Sequence, residues 1–305
     1  MDASEVFFQQ IINGVTIGMI YALIALGYTI VYGIAQLINF AHGEVFMVGA
    51  YLGLLFFTIF QNVIPGLQGS VYSLPLVIIC VMVSTALLGA LIERLAYKPL
   101  RHAPRLAPLI TAIGVSFVLQ NAVMLIFGPA DKTFPPVLPL KKISMGSVTL
   151  TNIQILITLT SVILMAVLHL FITRTRTGKA MRALADDMKA ASLMGINVDR
   201  TIMTAFIVGA ALAGAGGVMF GLYYSTINFH DGYLAGLKAF TAAVLGGIGN
   251  IPGAMLGGVL IGVFEGLGAG YLSSQWKNVF AFFILILILL FRPRGLLGTR
   301  VVKKV

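Results

Sequence analysis

The chain has 305 residues, of which 59% are apolar and only 10% charged, and its mean hydropathy is +0.99. Water-soluble domains are far more polar, so the composition excludes that class and indicates a membrane protein. The net charge of +10 does not indicate a nucleic-acid partner, because the basic residues cluster at the ends of apolar segments.

Apolar runs longer than about 18 residues recur along the chain, and each can cross a bilayer as a helix. The sequence therefore predicts an all-α polytopic membrane protein with about 8–9 transmembrane helices, some of them broken or re-entrant. The connecting segments are short, so we expect a single transmembrane domain over residues 1–305. Asp2 and Glu5 in an N-terminus without Lys or Arg argue against a cleavable signal peptide.

The first apolar run, residues 11–38, is too long for one upright span, and a polar break with Asn39, His42 and Glu44 follows it. Further spans are predicted at residues 45–60, 74–95, 109–127 and 153–173. A basic turn follows the span 74–95 and contains Arg94, Lys98, Arg101 and Arg105.

Residues 174–200, called the polar segment here, hold nine of the 30 charged residues. On a helix, its apolar side would carry Met181, Leu184, Met188 and Ala191, and its polar side Lys179, Arg182, Asp186, Asp187 and Lys189. Gly195 is predicted to end this helix, and Asp199 to cap the next one. The segment is thus predicted to be an amphipathic surface helix between two spans.

Spans are also predicted at residues 201–224, 253–272 and 279–291. A polar link, 225–236, leads to a short apolar segment, 237–247, which is either a full pass or re-entrant. Nine passes would bring the basic turn, the polar segment and the C-terminal tail to one side. That side would hold 15 of the 20 Lys and Arg residues, so it is predicted to be cytoplasmic, with the N-terminus outside.

Glycines spaced four residues apart predict close packing of helix backbones. They are Gly14–Gly18, Gly49–Gly53, Gly217–Gly221, Gly253–Gly257 and the series Gly258, Gly262, Gly266 and Gly270. We interpret them as packing within the chain, with a subunit interface as the alternative.

Motifs for ATP binding and for zinc- or serine-dependent hydrolysis are absent from the sequence. Gly178-Lys179, for example, lacks the upstream glycine of a Walker A loop. The chain is therefore predicted not to be an enzyme, to hold no metal or cofactor, and to be unable to use ATP by itself.

Ionisable residues inside predicted spans are expected to face protein or a water path. His42 and Glu44 either tie the chain break to neighbouring backbone groups or line a solute path. Both interpretations also stay open for Glu265. Glu93 is predicted to pair with Arg94 at the membrane surface.

Five stretches are similar to a single family. They are NGVTIGMIYALIALGYTIVYGI (13–34), INFAHGEVFMVGAYLG (38–53), ERLAYKPLR (93–101), ASLMGINVDR (191–200) and FTAAVLGGIGNIPGAMLGG (240–258). Together they resemble the H-type permeases of branched-chain amino acid ABC importers, and the similarity covers nearly the whole chain.

The resemblance implies a bacterial inner-membrane subunit that translocates leucine-, isoleucine- or valine-type solutes. It also implies a second permease subunit, two cytoplasmic ATPases that bind the ATP, and a periplasmic binding protein. The polar segment would be the cytoplasmic coupling helix. The residues then expected to couple to the ATPases are Lys179, Arg182, Leu184, Asp186, Asp187, Met188, Lys189 and Gly195.

Two alternatives stay open. Similar permeases carry urea or short amides, and the sequence hardly separates these cargoes. A stand-alone ion-driven carrier or channel is the other alternative, and the scarcity of paired charges within the spans argues against it. The predicted translocation path contains Asn39, His42, Glu44 and Glu265.

Overall fold

A computed structural model describes residues 3–63, 73–101, 103–104, 106–136, 141–145, 148–292 and 294–298. Within these residues the α-helices are α1 (Ala3–Ala35), α2 (His42–Val63), α3 (Ser73–Ile92), α4 (Leu106–Phe127), α5 (Asn152–Arg174), α6 (Arg176–Asp186), α7 (Met188–Leu193), α8 (Val198–Tyr224), α9 (Asp231–Gly246), α10 (Ile251–Tyr271) and α11 (Lys277–Phe291). A π-helical turn (Glu93–Tyr97) and a 3-10 turn (Lys98–Leu100) extend α3, and a second 3-10 turn (Ser274–Trp276) precedes α11.

Seven of these helices are long and apolar enough to cross a membrane: α1, α2, α3 with its extension, α4, α5, α8 and α10. The chain is therefore a multi-pass, all-α membrane protein, as predicted. α9 has 16 residues and α11 has 15, fewer than the roughly 20 residues of a typical span. The predicted count of 8–9 helices is thus approximate.

The start of α9 differs from the sequence prediction. The polar link was predicted to reach residue 236, but the helix already begins at Asp231. The Asp231 carboxylate accepts a hydrogen bond from Asn228 N at 2.7 Å, and this turn directs the chain into the helix early. α9 consequently includes residues 231–236, which the sequence assigned to the link.

α1 lies at the centre of the bundle, and α4 lies at its edge. In the most apolar window of each helix, 89% of the α1 residues are buried but only 11% of the α4 residues. α1 packs against α8, α9 and α10, while α2 and α3 pack on α8. The helices that surround α1 therefore determine the shape of the interior.

Glycine pairs allow these close contacts. A methyl group at Gly262 on α10 would overlap the backbone of Gly14 and Gly18 on α1. In the same way, Gly49 on α2 lies against Gly214 on α8. At these positions the interpretation of glycine stripes as packing within the chain is confirmed.

Four short strands connect the loops at one end of the bundle. β1 (Lys132–Thr133) pairs antiparallel with β4 (Thr226–Ile227), and β2 (Lys142–Met145) pairs antiparallel with β3 (Val148–Thr151). Next to β1, the buried Phe134 ring fills the space at Gly53 and Gly221, between α2 and α8. The loop after α4 is thereby fixed to the bundle.

The opposite end, called the basic end, carries the basic turn, the polar segment and the start of the tail. A strap of residues 294–298 crosses this end: Leu296 N donates to Leu245 O at 2.8 Å, and Leu297 N donates to Gly246 O at 3.0 Å. The described basic residues of these three segments therefore lie at one end of the bundle, as the charge pattern predicted. Arg105 and tail residues 299–305 lie outside the described residues.

Candidate functional site

The link between α1 and α2, residues 36–41, turns back into the bundle. α1 ends at Ala35, and Gln36 adopts a left-handed conformation with φ of 52°. The ring of His42, the first residue of α2, lies against Gly27, about two turns before the end of α1. α2 therefore begins in the interior and not at a surface.

Two of the predicted path residues fix this break. Asn39 is buried, and its Oδ1 accepts a hydrogen bond from Tyr97 OH at 2.8 Å. His42 is also buried and packs edge-on against Tyr28, with ring centroids 4.8 Å apart. His42 Nε2 has no hydrogen-bond partner among the described residues. Asn39 and His42 thus contact neighbouring side chains inside the bundle, and their role in the path stays a prediction.

Glu44, in the first turn of α2, is only 1% exposed. Its Oε1 accepts a hydrogen bond from Ser116 Oγ on α4 at 3.2 Å. Its Oε2 lies against Gly232 on α9 and has no hydrogen-bond partner among the described residues. Buried polar atoms in folded proteins nearly always have a partner, so this oxygen marks a place for a ligand or an ordered water.

Glu44 borders a cavity of about 790 Å³ between α2, α4 and α9. The walls are mainly apolar and aromatic, with Phe40, Ile113, Phe117 and Leu237 among them. Polar groups are few: the side chains of Glu44, Ser116, Gln120 and His230, and the hydroxyl groups of Tyr28 and Tyr233. A mostly apolar cavity with a few placed polar groups is the usual form of a small-molecule site. Asn39 and His42 are not among its lining residues.

Two helix N-termini meet at this cavity. Gly43 in α2 packs against Gly232 and Gly236 in α9, and the Phe40 and Phe240 ring centroids are 6.2 Å apart. The residue order shows that the two helices run antiparallel and overlap at their first turns. No side chain caps α9 at His230, and the first turn of α9 lines the cavity. Broken helices whose N-termini face a cavity bind anionic solute groups in transporters.

A buried ion pair connects α9 to α10 and α1. Lys238 Nζ lies 2.8 Å from Glu265 Oε1, and Tyr21 OH donates to Glu265 Oε2 at 2.9 Å. All three side chains are at most 5% exposed. Glu265 thus makes polar packing contacts, and it is not among the residues that line the Glu44 cavity. Its role in the translocation path stays a prediction.

Sequence reasoning missed Lys238, although a lysine within a short apolar segment is a costly placement that calls for a partner. The described residues contain its pair with Glu265, so the argument from scarce paired charges is weaker than the sequence indicated. Ser116, the hydrogen-bond partner of Glu44, was also missed, because a serine in an apolar run carries no such signal.

The polar segment forms two short helices and not one. Asp187 adopts an extended conformation, with φ of −156° and ψ of 107°, and ends α6. Its side chain accepts a hydrogen bond from Ala190 N at 3.0 Å and thereby caps α7. This local bond competes with the helix backbone, which explains why the predicted continuous helix is wrong.

The break changes which side chains face the bundle. Met181, Leu184 and Ala191 are buried as predicted, but Met188 is 38% exposed, so its predicted place on the buried side is wrong. Leu193 and Met194, which sequence reasoning did not select, are 89% and 83% exposed. The other predicted coupling side chains are exposed, and they are Lys179, Arg182, Asp186, Asp187 and Lys189.

Gly195 follows the end of the helix α7, as predicted, and has a φ of 82°. The cap of α8 is Asn197 and not Asp199, because the Asn197 side chain accepts a hydrogen bond from Arg200 N at 3.0 Å. Asp199 instead lies in the first turn of α8, where Lys98 Nζ is 3.0 Å from its Oδ2.

Glu93 pairs with Arg101 and not with Arg94 as predicted. The π-helical turn that begins at Glu93 directs its carboxylate inward, where it is fully buried, and leaves Arg94 exposed. Arg101 also pairs with Asp199. A chain of charges therefore connects the end of α3 with the start of α8, directly after the polar segment.

A multi-pass helical protein with broken helices beside a mostly apolar cavity, and with a polar segment exposed at one end, has the architecture of a membrane permease. The chain belongs to the family described as branched-chain amino acid transport system / permease component, whose profile matches residues 10–289. The resemblance seen in the sequence is thus confirmed.

Curated relatives match over nearly the full length. The chain is 49% identical to the high-affinity branched-chain amino acid transport system permease protein BraD of Pseudomonas aeruginosa, over 98% of each chain. It is 46% identical to the permease protein LivH of Escherichia coli, again over 98% of each chain. It is 30% identical to a probable LivH of Methanocaldococcus jannaschii, over 95% of this chain and 92% of the relative. No solved structure matches the chain at a significant level.

Proposed function

We propose that the chain is the membrane-spanning permease subunit of an ATP-driven importer for branched-chain amino acids. The chain is 46–49% identical, over nearly its full length, to permeases of high-affinity branched-chain amino acid transport systems, and this similarity supports the cargo class. A periplasmic binding protein delivers the solute, a second permease subunit completes the pathway, and two cytoplasmic ATPases supply the energy. The chain crosses the bacterial inner membrane with its N-terminus outside and its basic end in the cytoplasm.

The observation that carries this proposal is the exposed apolar pair Leu193–Met194 at the turn of the polar segment. Large apolar side chains that are almost fully exposed and surrounded by polar residues are typical of protein interfaces. The buried residues Met181, Leu184 and Ala191 attach the same segment to its own bundle. Leu184 therefore transmits force into the permease, while Leu193 and Met194 contact the ATPase.

The packing gives this force a route to the cavity. α6 contacts α5 and α1, and α7 contacts the start of α8. α1 packs against α9 and, at Gly27, against His42 at the start of α2, while α8 packs against α2. The first turns of α2 and α9 border the Glu44 cavity. Closure of the ATPase pair thus shifts the permease between a state open to the outside and a state open to the cytoplasm.

The docking role can be tested by co-purification of the complex from membranes. The double substitution Leu193→Asp and Met194→Asp is expected to abolish ATPase co-purification while the subunit still inserts. Leu272→Asp is the matched control, because Leu272 is a 67% exposed apolar residue at the other end of the bundle. Normal amounts of ATPase with the double variant would show that the segment does not dock there.

Two alternatives have distinct tests. A urea or short-amide permease would take up labelled urea, and not leucine, when supplied with its binding protein. A stand-alone carrier, for which the buried Lys238–Glu265 pair is the favouring observation, would transport solute in liposomes that contain only this chain under an ion gradient. We expect leucine uptake only with the complete complex and ATP.

A further inference from the structure

We infer that Glu44 receives the ammonium group of the solute, so that the cavity beside it selects amino acids over neutral amides. This inference rests on the proposed function and adds a binding residue and a charge requirement to it.

The first argument is the missing partner of Glu44. The carboxylate is 1% exposed, and Ser116 is the single hydrogen-bond donor that reaches it among the described residues. None of the described residues that line the cavity is a Lys or Arg, and His230 Nδ1 is 2.8 Å from Gln120 Nε2. No described basic residue therefore supplies a positive charge to Glu44 Oε2, and a group that enters the cavity can supply one.

The second argument is the position of Glu44 at two helix N-termini. It lies in the first turn of α2 and against Gly232 in the first turn of α9. Helix N-termini favour negative charge, so the two helices support a carboxylate here without a basic residue. The His230 side chain does not cap α9, so the first turn of α9 can also bind the carboxylate of a zwitterionic solute.

The third argument is the shape and polarity of the cavity. Its volume of about 790 Å³ is in the range of small-molecule sites. Phe40, Ile113, Phe117 and Leu237 give it apolar walls that suit a branched aliphatic side chain. A neutral amide such as urea would leave the Glu44 charge without a partner, and sites that contain a buried polar group strongly reject ligands that cannot pair with it.

The decisive variant is Glu44→Gln in the complete complex, reconstituted in liposomes with ATP and the binding protein. Loss of a charge-assisted hydrogen bond is expected to lower leucine uptake roughly 10- to 100-fold. ATP hydrolysis stimulated by the binding protein should persist, because the ATPase docking surface is untouched. Asp131→Asn is the matched control, since it neutralises an exposed carboxylate outside the cavity and should leave uptake near the wild-type level.

Uptake by Glu44→Gln within about twofold of wild type would overturn the inference, because a lost charge-assisted contact cannot be that small. Failure of the wild-type complex to import leucine would instead refute the proposed function, so the two failures are distinguishable.

A second measurement uses the wild-type complex and needs no variant. Modification of Glu44 by an apolar carbodiimide is followed by mass spectrometry with and without added solutes. Leucine and leucinamide, which both carry an ammonium group, should slow the modification, whereas isocaproamide and isocaproate should not. Equal protection by leucine and isocaproamide, or protection by neither, would overturn the assignment of the ammonium group to Glu44.

Discussion

Lys238 Nζ on α9 lies 2.8 Å from Glu265 Oε1 on α10, in the interior of a bundle made mostly of apolar residues. Tyr21 OH on α1 donates to the second carboxylate oxygen at 2.9 Å. The pair therefore holds the short helix beside the cavity against α10 and against α1, the helix at the centre of the bundle. Buried ion pairs of this kind are costly to break, because the remaining charge has no partner.

This relationship predicts an asymmetry between single and double substitutions. Lys238→Met and Glu265→Gln should each lower the free energy of unfolding, with Lys238→Met costing about 3–5 kcal/mol because Glu265 stays buried and charged. The double variant Lys238→Met with Glu265→Leu should recover much of this loss. Thermal unfolding of the purified chain in detergent measures the stability of the two single variants and of the double variant. A double variant no more stable than Lys238→Met would contradict the prediction.

The glycine contacts between α1 and α10 predict a second asymmetry. Gly262→Ala should destabilise the chain by about 1–3 kcal/mol, because the added methyl group overlaps the Gly14 and Gly18 backbone. Gly114→Ala is the control, since a methyl group there meets no atom within 4 Å. Both are helical glycines, so alanine also improves helix propensity in each. Equal melting temperatures of the two variants in detergent would refute the packing argument.

The chain of charges at the basic end predicts different effects for substitutions of two nearby basic residues, Lys98 and Arg101. Among the described residues, Lys98 pairs with the exposed carboxylate of Asp199 alone, so Lys98→Met should change stability by less than about 1 kcal/mol. Arg101→Met should cost several-fold more, because it leaves the fully buried Glu93 without its partner. Addition of Glu93→Gln should restore part of the loss. Thermal unfolding in detergent measures the stability of these variants. Equal effects of Lys98→Met and Arg101→Met would contradict this account.

The break in the polar segment depends on one cap. Asp187→Ala removes the acceptor for Ala190 N and should destabilise α7 by about 1 kcal/mol, which exposes the segment to limited proteolysis. Asp186→Ala changes the neighbouring exposed carboxylate at the end of α6 and serves as the control. Identical cleavage rates of the two variants would show that the cap does not hold the segment.

The long spans were predictable from the sequence because hydropathy is a local property. The predicted spans 109–127, 153–173 and 201–224 correspond to α4 (Leu106–Phe127), α5 (Asn152–Arg174) and α8 (Val198–Tyr224). The polar break at Asn39–Glu44 was predictable for the same reason, since polar residues interrupt an apolar run there.

The pairing of charges was not predictable, because it depends on backbone geometry and on distant residues. Glu93 and Arg94 are adjacent in sequence but point in different directions on a helix, so adjacency in the chain does not make them an ion pair. Lys238 and Glu265 lie on different helices, and no sequence period connects them. Glu44 and Ser116 also lie on different helices without a connecting sequence period. A cavity could therefore be expected near the polar break, but its lining residues could not be predicted.

The strap at residues 294–298 has a consequence for biosynthesis. Leu296 and Leu297 supply backbone donors to the last carbonyls of α9, which a helix end otherwise leaves unpaired. The strap follows α10 and α11 in the chain, so the end of α9 can be completed only after both of these helices have been translated. A product that stops just after α11 would therefore lack the donors for the last carbonyls of α9, and quality-control proteases would recognise the unfinished helix end.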